Sequence, residues 1–497
     1  MTSATSFTHR HATVVVEMST TETPESPPNQ PQRSDENHVH MNGSNQSRSK
    51  PQRDAGHEVS RRLKVAKILS FSSGASMVAW NKFSTLWLLS VGLTPAQTGV
   101  LKSVGLVAKA ICQPAWAAIA DLKVPARIHP SLESVSSHFT AVLSTVVSLI
   151  MMEALRRNAR FLGFRQILLL RTIWAVTNAG GQLVDALVAQ LSHRTKEGYG
   201  KQRLWGSVSW GCMSFIAGVL IDRFGLEALF AYTYVARITL LACIVLAMVD
   251  WAAGSAEASG EAQYDSEKGM SKQPENLSSS AYFNRMVITV RERPQLAALL
   301  TTTLVHGFTM VVSDNVVSMQ MDRDFHMSRS LNGLTAAMGV LASVPSFWYS
   351  SLLISKYGHF AIIMLAQGLS VSMYVLHAWV TKEYSILILP ITAIKGAVVG
   401  LQWSTSVDLM QSSVDQSLTT MAQTLLGWFY YTIGGGVGFI FWSACYQHLG
   451  ASDTYWLAAA VGICNLLSLR AWLGTRKEVW ASVDFGEGIS RRLTLPP

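Results

Sequence analysis

The most constraining feature of this chain is a repetition. From residue 66 onward, apolar stretches recur with only short polar breaks between them. Most reach the roughly 20 residues that a helix needs to cross a bilayer. They lie at 66–89, 95–119, 139–155 (the shortest), 163–189, 204–221, 227–249, 295–318, 331–353, 359–380, 385–409, 418–444 and 453–473. A soluble protein cannot hide so many apolar segments. Charged residues are only 14% of the chain, against about 25% in an average soluble protein. The expected fold is an all-α integral membrane protein with twelve transmembrane helices.

The helices divide evenly. Residues 64–249 and 294–473 each hold six spans, and a hydrophilic linker at 250–293 joins them. Residues 1–63 are rich in Ser, Asn, Pro, Gln and His without apolar periodicity, which predicts a disordered tail. Residues 474–497 form a second tail. Val14–Val16 is too short for the apolar region of a signal peptide.

The net charge of +9 is not a nucleic-acid footprint. Residues 1–63 carry seven Lys/Arg against seven Asp/Glu, and 250–293 carry five against seven. The surplus therefore sits in and beside the spans. Sixteen Lys/Arg flank them on the tail side and seven on the other, which predicts both termini in the cytoplasm. Arg156, Arg157 and Arg160 form the one dissenting loop. The sequons at Asn42, Asn45 and Asn276 then face the cytoplasm and stay unmodified. All five cysteines lie in apolar stretches without metal-ligand spacing, so no metal or cofactor is expected.

Five stretches carry a family resemblance: GLTPAQTGVLKS (92–103), QPAWAAIAD (113–121), LVDALVAQL with YGKQRLWGSVSWG (183–211), VPSFWYSSLLISKYGH (344–359) and KGAVVGLQWSTS (395–406). In this order they are similar to the major facilitator superfamily, and within it to the "major facilitator-like" branch related to oligosaccharide and nucleoside proton symporters. The resemblance implies two six-helix halves with spans 1, 4, 7 and 10 lining a central cavity. It also implies a gating loop after spans 2 and 8, to which Asp121, Lys123 and Lys356 correspond. The second copy departs from the pattern, with Ser355 in place of the acid. GVLIDRFG (218–225) matches the loop signature better but falls at the opposite end, where it reads as a turn. In span 10 the branch's His-Gly before Trp is Lys395-Gly396 before Trp403.

Ionisable side chains inside hydrocarbon are costly and face a bundle interior or an aqueous cavity. By the branch's cavity rule, Lys82 falls on span 1, Arg171 and Asp185 on span 4, His306 and Asp314 on span 7, and Lys395 and Asp408 on span 10, with Arg237 on peripheral span 6. Arg171, Asn178 and Asp185 recur every seven residues and would form one polar stripe, as would Lys395, Gln402 and Ser406; His306 and Asp314, eight apart, would share a face. Each has a plainer alternative. Asp185 and Asp408, near span ends, could cap or pair with a loop residue; His306 could be a hydrogen-bonded core histidine; Trp428, Tyr430 and Tyr431 could simply pack. Lys102 and Lys109 share a face of span 2.

The leading functional expectation is a secondary transporter moving a small polar solute (sugar, nucleoside or organic anion), coupled to protons and working as a monomer in the bilayer. An outer gate between Asp314 and Lys82 is expected, with Asp314 taking the proton. A transporter-like receptor is the alternative. A membrane enzyme built on His306 lacks paired nucleophile or metal spacings, and no phosphate-binding GxxxxGK[ST] loop is present to use ATP.

Overall fold

A computed structural model describes residues 50–121, 136–194, 199–261, 279–415 and 418–474. The apolar stretches become helices because backbone groups in lipid must be satisfied within their own segment. In chain order they are α1 (Lys50–Ser90), α2 (Pro95–Asp121), α3 (Ser136–Asn158), α4 (Phe164–Thr177), α5 (Gly180–Arg194), α6 (Tyr199–Phe224) and α7 (Ala228–Glu261). After them come α8 (Ser279–Glu292), α9 (Pro294–Val311), α10 (Val317–Met319), α11 (Arg329–Tyr357), α12 (His359–Trp379), α13 (Ile388–Ser412), α14 (Thr419–Gly427) and α15 (Gly435–Gly474). No strand occurs among the described residues.

Ten helical runs are long and apolar enough to cross a membrane among the described residues. One of them, Met421–Gly474, turns at Gly450, whose φ of 82° only glycine adopts cheaply, so it counts as two crossings. The first apolar stretch lies in α1, where Ser70, Ser72, Ser73 and Ser76 dilute the hydropathy; all four are buried against neighbouring helices. Ten runs, one of them doubled, together with α1 are consistent with twelve crossings.

Packing follows the helix order. Two hydrophobic cores draw only on residues between 65 and 247, and two others only on residues between 286 and 473. From Ala55 onward the chain is nonetheless one compact unit. Large apolar side chains such as Leu246, Leu341 and Trp348 stand well exposed around it (69%, 69% and 79%), a surface suited to lipid rather than water.

Four sequence expectations need correction. Residues 50–63, read as disordered tail, belong to α1. The end of the linker forms α8, which buries Met286 and pairs Arg285 with Asp415 at 3.1 Å, because apolar residues recur within it at helical spacing. Span 4 is two helices, broken at Asn178 and Ala179 before the Gly180-Gly181 pair. The freed backbone groups find new partners. Trp116 Nε1 donates to the Val176 carbonyl at 2.7 Å, and Ser144 Oγ both donates to the Thr177 carbonyl at 2.7 Å and accepts from the Ala179 amide at 2.9 Å. Finally, spans 7 and 11 contain π-helical turns, at Val312–Val316, Gln320–Asp324 and Trp428–Gly434, which shift the register of every residue beyond them.

The bundle has two ends. The distal end holds the turns at 91–94, 225–227 and 325–328; the proximal end holds Asp121, the α11–α12 turn at Gly358 and Gly474. The two halves meet at the distal end, where α6 lies against α11 and α2 against α15. A Cβ at Gly218 would collide with the Arg329 carbonyl, and one at Gly333 with the Ser214 carbonyl. Asp222 closes the joint: its two carboxylate oxygens accept from the Arg329 and Ser330 amides, each at 2.7 Å, at the start of α11. Toward the proximal end the same helices lose their cover. On α11, Asn332, Gly333 and Thr335 are buried, whereas Phe347 and Tyr349 are exposed. The halves are joined distally and splayed proximally.

Candidate substrate and coupling site

The π turn at Val312–Val316 builds the centre of the molecule. Between Thr309 and Met321, Asp314 alone is exposed, while every other residue is buried. A π turn widens the helix by one residue and re-aims its side chains, and here it points a carboxylate into an open space between the halves. Lys395 of α13 forms an ion pair with Asp314. Lys82, expected as that partner, instead donates to Thr335 Oγ1 at 2.9 Å, although it remains within electrostatic range of Asp314. The expected Asp314–Lys82 gate is therefore replaced by an Asp314–Lys395 pair inside one half. The expectation rests on a matched depth along spans 1 and 7, whereas Thr335 holds Lys82 and Lys395 reaches the carboxylate.

Asn315 is the hub beside it. Its Oδ1 accepts from Thr85 Oγ1 at 2.8 Å and from Lys102 Nζ at 3.3 Å, and its Nδ2 donates to Ser443 Oγ at 2.9 Å. Thr85 and Lys102 come from the first half, and Asn315 and Ser443 from the second. The neighbouring residues Asp314 and Asn315 thus place the cavity carboxylate next to a bridge between halves. In the sequence Asn315 carries one signal, that of a second polar residue beside an intramembrane Asp. Asn81 is the one exposed residue between Ala75 and Leu89 of α1, a placement the sequence does not signal.

The first half contributes a cationic wall. The Arg171 guanidinium lies over the Trp174 ring at 4.3 Å and near Trp80 at 5.8 Å, and Trp80 and Trp174 meet edge to face at 4.5 Å. Gly105 of α2 leaves it room, since a Cβ there would stand 2.9 Å from Arg171 Nη2. Arg171 Nη1 is buried without a hydrogen-bond partner among the described residues. Asn178, expected in a continuous stripe with Arg171 and Asp185, sits instead in the break of span 4 and accepts from Arg237 Nη2 at 3.4 Å. Arg237 also donates to Ser148 and is buried, so its position on a peripheral span hides an interior role. Asp185 lies on α5 within electrostatic range of Lys109.

Other candidates fall elsewhere. His306 is fully buried, 5.8 Å from the Tyr430 ring, and neither ring nitrogen has a partner among the described residues; the π turn separates it from the Asp314 face. Gln402 joins a buried network inside the second half: it accepts from Gln367 and donates to Ser406, and Asn465 donates to Gln367, each at 3.2 Å. Trp403 forms an aromatic group with Tyr430 and Tyr431 at 5.7 and 5.6 Å. Asp408 pairs with His359 at 2.7 Å at the proximal end. Of the gating-loop residues, Asp121 ends α2, Lys356 lies in the last turn of α11 over the Tyr357 ring, and Lys123 lies outside the described residues. So do Asn42, Asn45 and Asn276.

Asp222, in the GVLIDRFG segment read from sequence as a turn, does more than turn the chain, since it caps α11 across the halves. The dissenting arginines also have partners. Arg156 and Arg157 bond Glu153 at 2.7 and 2.6 Å, and Arg160 bonds Glu227 at 3.0 Å.

A broken fourth span, a π-turned seventh and charged groups at the meeting of two helical halves are the arrangement of a transporter core. The sequence model of the family described as "MFS_1 like family" matches residues 61–457. The chain belongs to this family. Solved structures agree on the fold. The nucleoside transporter NupG is similar with a TM-score of 0.62 at 13% identity, covering 82% of this chain and 98% of that one. A POT family transporter in complex with 5-aminolevulinic acid gives 0.51 at 12% identity over 84% and 96%. A D-xylose-proton symporter gives 0.51 at 11% identity over 83% and 97%. The family and these neighbours are transporters, not enzymes, and the chain is an integral multi-pass membrane protein with the secondary-transporter fold.

Proposed function

We propose that this protein is a secondary active transporter that carries a small polar solute by alternating access and couples its movement to protons through Asp314. The observation that carries the reading is the position of Asp314: the one exposed residue in a buried run, paired with Lys395 and adjacent to the Asn315 bridge. The groups around it are Lys395 on α13, Lys82 on α1, Lys102 on α2, Tyr374 on α12 and Tyr430 in the π turn after α14. Protonation of Asp314 removes its attraction for Lys395 and so frees that ammonium for a solute. The splay of the halves, open proximally, represents the state in which solute and proton exchange with the proximal side. With both termini cytoplasmic, that side is the cell interior.

The test is Asp314→Asn in proteoliposomes. The amide mimics the protonated acid, so uphill accumulation driven by an imposed proton gradient is expected to disappear while solute exchange persists. Accumulation by the variant, or wild-type uptake indifferent to the gradient, overturns the coupling.

A further inference from the structure

We infer that the transported solute is an organic anion, bearing a carboxylate or phosphate, and that Arg171 with Lys102 and Lys109 receives its charged group. The inference rests on the transporter reading above and adds a substrate class to it. Six cations lie within the spans away from their ends: Lys82, Lys102, Lys109, Arg171, Arg237 and Lys395; the carboxylates Asp185 and Asp314 lie nearer the ends of theirs. Among the described residues, Lys395 is the one of the six with a carboxylate in contact. Lys82 and Lys102 donate to neutral oxygens, Arg237 to Ser148 and Asn178, and Arg171 stacks on Trp174. None of these four, nor Lys109, makes an ion pair among the described residues.

Uncompensated charge inside a bilayer is costly, and a protein keeps it where a counter-charge arrives. Arg171 is built to receive one. Its guanidinium lies over the Trp174 ring at 4.3 Å, Gly105 clears the space beside it, and Nη1 is buried with no hydrogen-bond partner among the described residues. A planar guanidinium with a free edge matches a carboxylate or phosphate, which it binds through two parallel hydrogen bonds. Lys102 and Lys109 stand two turns apart on the same face of α2, above and below Gly105. Both are within electrostatic range of Arg171, so the three present one positive wall. Such a wall beside a low-dielectric surface concentrates anions from solution.

The experiment uses the full-length protein in vesicles of phosphatidylcholine, whose headgroup carries no net charge to compete for the site. Matched neutral and anionic probes are compared: uridine with uridine 5′-monophosphate, and glucose with glucuronate. Binding is read by thermal stabilisation and transport by counterflow exchange. An anionic member is expected to stabilise the protein where its neutral partner does not. Arg171→Gln should weaken that binding by at least about tenfold, as expected for losing a charge-assisted bidentate contact, and Arg171→Lys by less. If Arg171→Gln does not fold, Lys109→Gln carries the same test. Equal or better binding of the neutral members, or no stabilisation by either anion, overturns the inference. Exchange of a neutral probe alone overturns it too, yet leaves the transporter reading standing. An anion that binds but is never exchanged removes the transporter reading and leaves the anion site.

Discussion

Lys395 shows how much a single residue decides here. An ammonium at mid-span has little structural excuse, and its one strong partner is the exposed carboxylate of Asp314. Replacing it leaves Asp314 facing the cavity with Lys82 and Lys102 farther off, and the cores of either half are untouched. Lys395→Ala is therefore expected to abolish transport while expression and thermal unfolding stay near wild type. Misfolding of the variant would show that the pair is structural. Arg237 is the contrasting case. It is buried, spans the gap between α7 and the break at Asn178, and also lies over the Trp174 ring at 5.7 Å. Arg237→Leu leaves Ser148 and Asn178 without their donor, and losses of this kind cost about 1–3 kcal/mol per buried group. Lowered thermal stability is its expected signature, before any effect on solute affinity.

Among the elements, the α6–α11 joint holds the two halves together at the distal end. Asp222 sets two carboxylate oxygens against the first amides of α11, where the helix dipole favours a negative charge. Because Asp222 and α11 belong to different halves, the contact exists only when the distal end is closed. Asp222→Asn keeps the shape but loses the charge and one of the two acceptors, so the distally closed state should lose about three- to tenfold in population. Gly333→Val acts on the same equilibrium by bulk, since its Cβ would strike the Ser214 carbonyl and lie 2.9 Å from the Phe215 Cα. Distances between spin labels at the distal ends of α6 and α11 would show both shifts as a longer-distance population. An unchanged distribution in both variants would mean that the joint does not move.

For the whole molecule, the arrangement of charge predicts its orientation. In the sequence, Lys and Arg flanking the spans on the tail side outnumber those on the other side sixteen to seven, and cytoplasmic loops retain such residues. Three of the seven distal residues, Arg156, Arg157 and Arg160, are engaged with Glu153 and Glu227, which gives them a structural reason to be there. In the sequence, Asn276 falls in the linker between the halves. It is expected to remain unglycosylated in a eukaryotic expression host, with no mobility change after glycosidase treatment. A glycan at Asn276 would reverse the orientation, and with it the assignment of the open side to the cell interior.

The sequence by itself determined the class, the spans and the evenly divided plan, because hydrocarbon imposes one requirement on every crossing segment: enough apolar length in a helix. It also marked the ionisable side chains that lie inside the spans, since an ionisable group in lipid is conspicuous by its cost. It could not determine how those charges pair. The stripe of Arg171, Asn178 and Asp185 assumed a continuous helix, but Trp116 and Ser144, distant in sequence, satisfy a break there. The shared face of His306 and Asp314 assumed 3.6 residues per turn, and a π turn intervenes. Lys82 was matched to Asp314 by depth, yet Thr335 holds it and Lys395 takes the carboxylate. Asp222 read as a turn because its partner, the start of α11, lies more than a hundred residues away. Burial and helical length are properties of a segment and leave their mark in composition. Pairing belongs to two segments brought together, and only the tertiary structure decides which two.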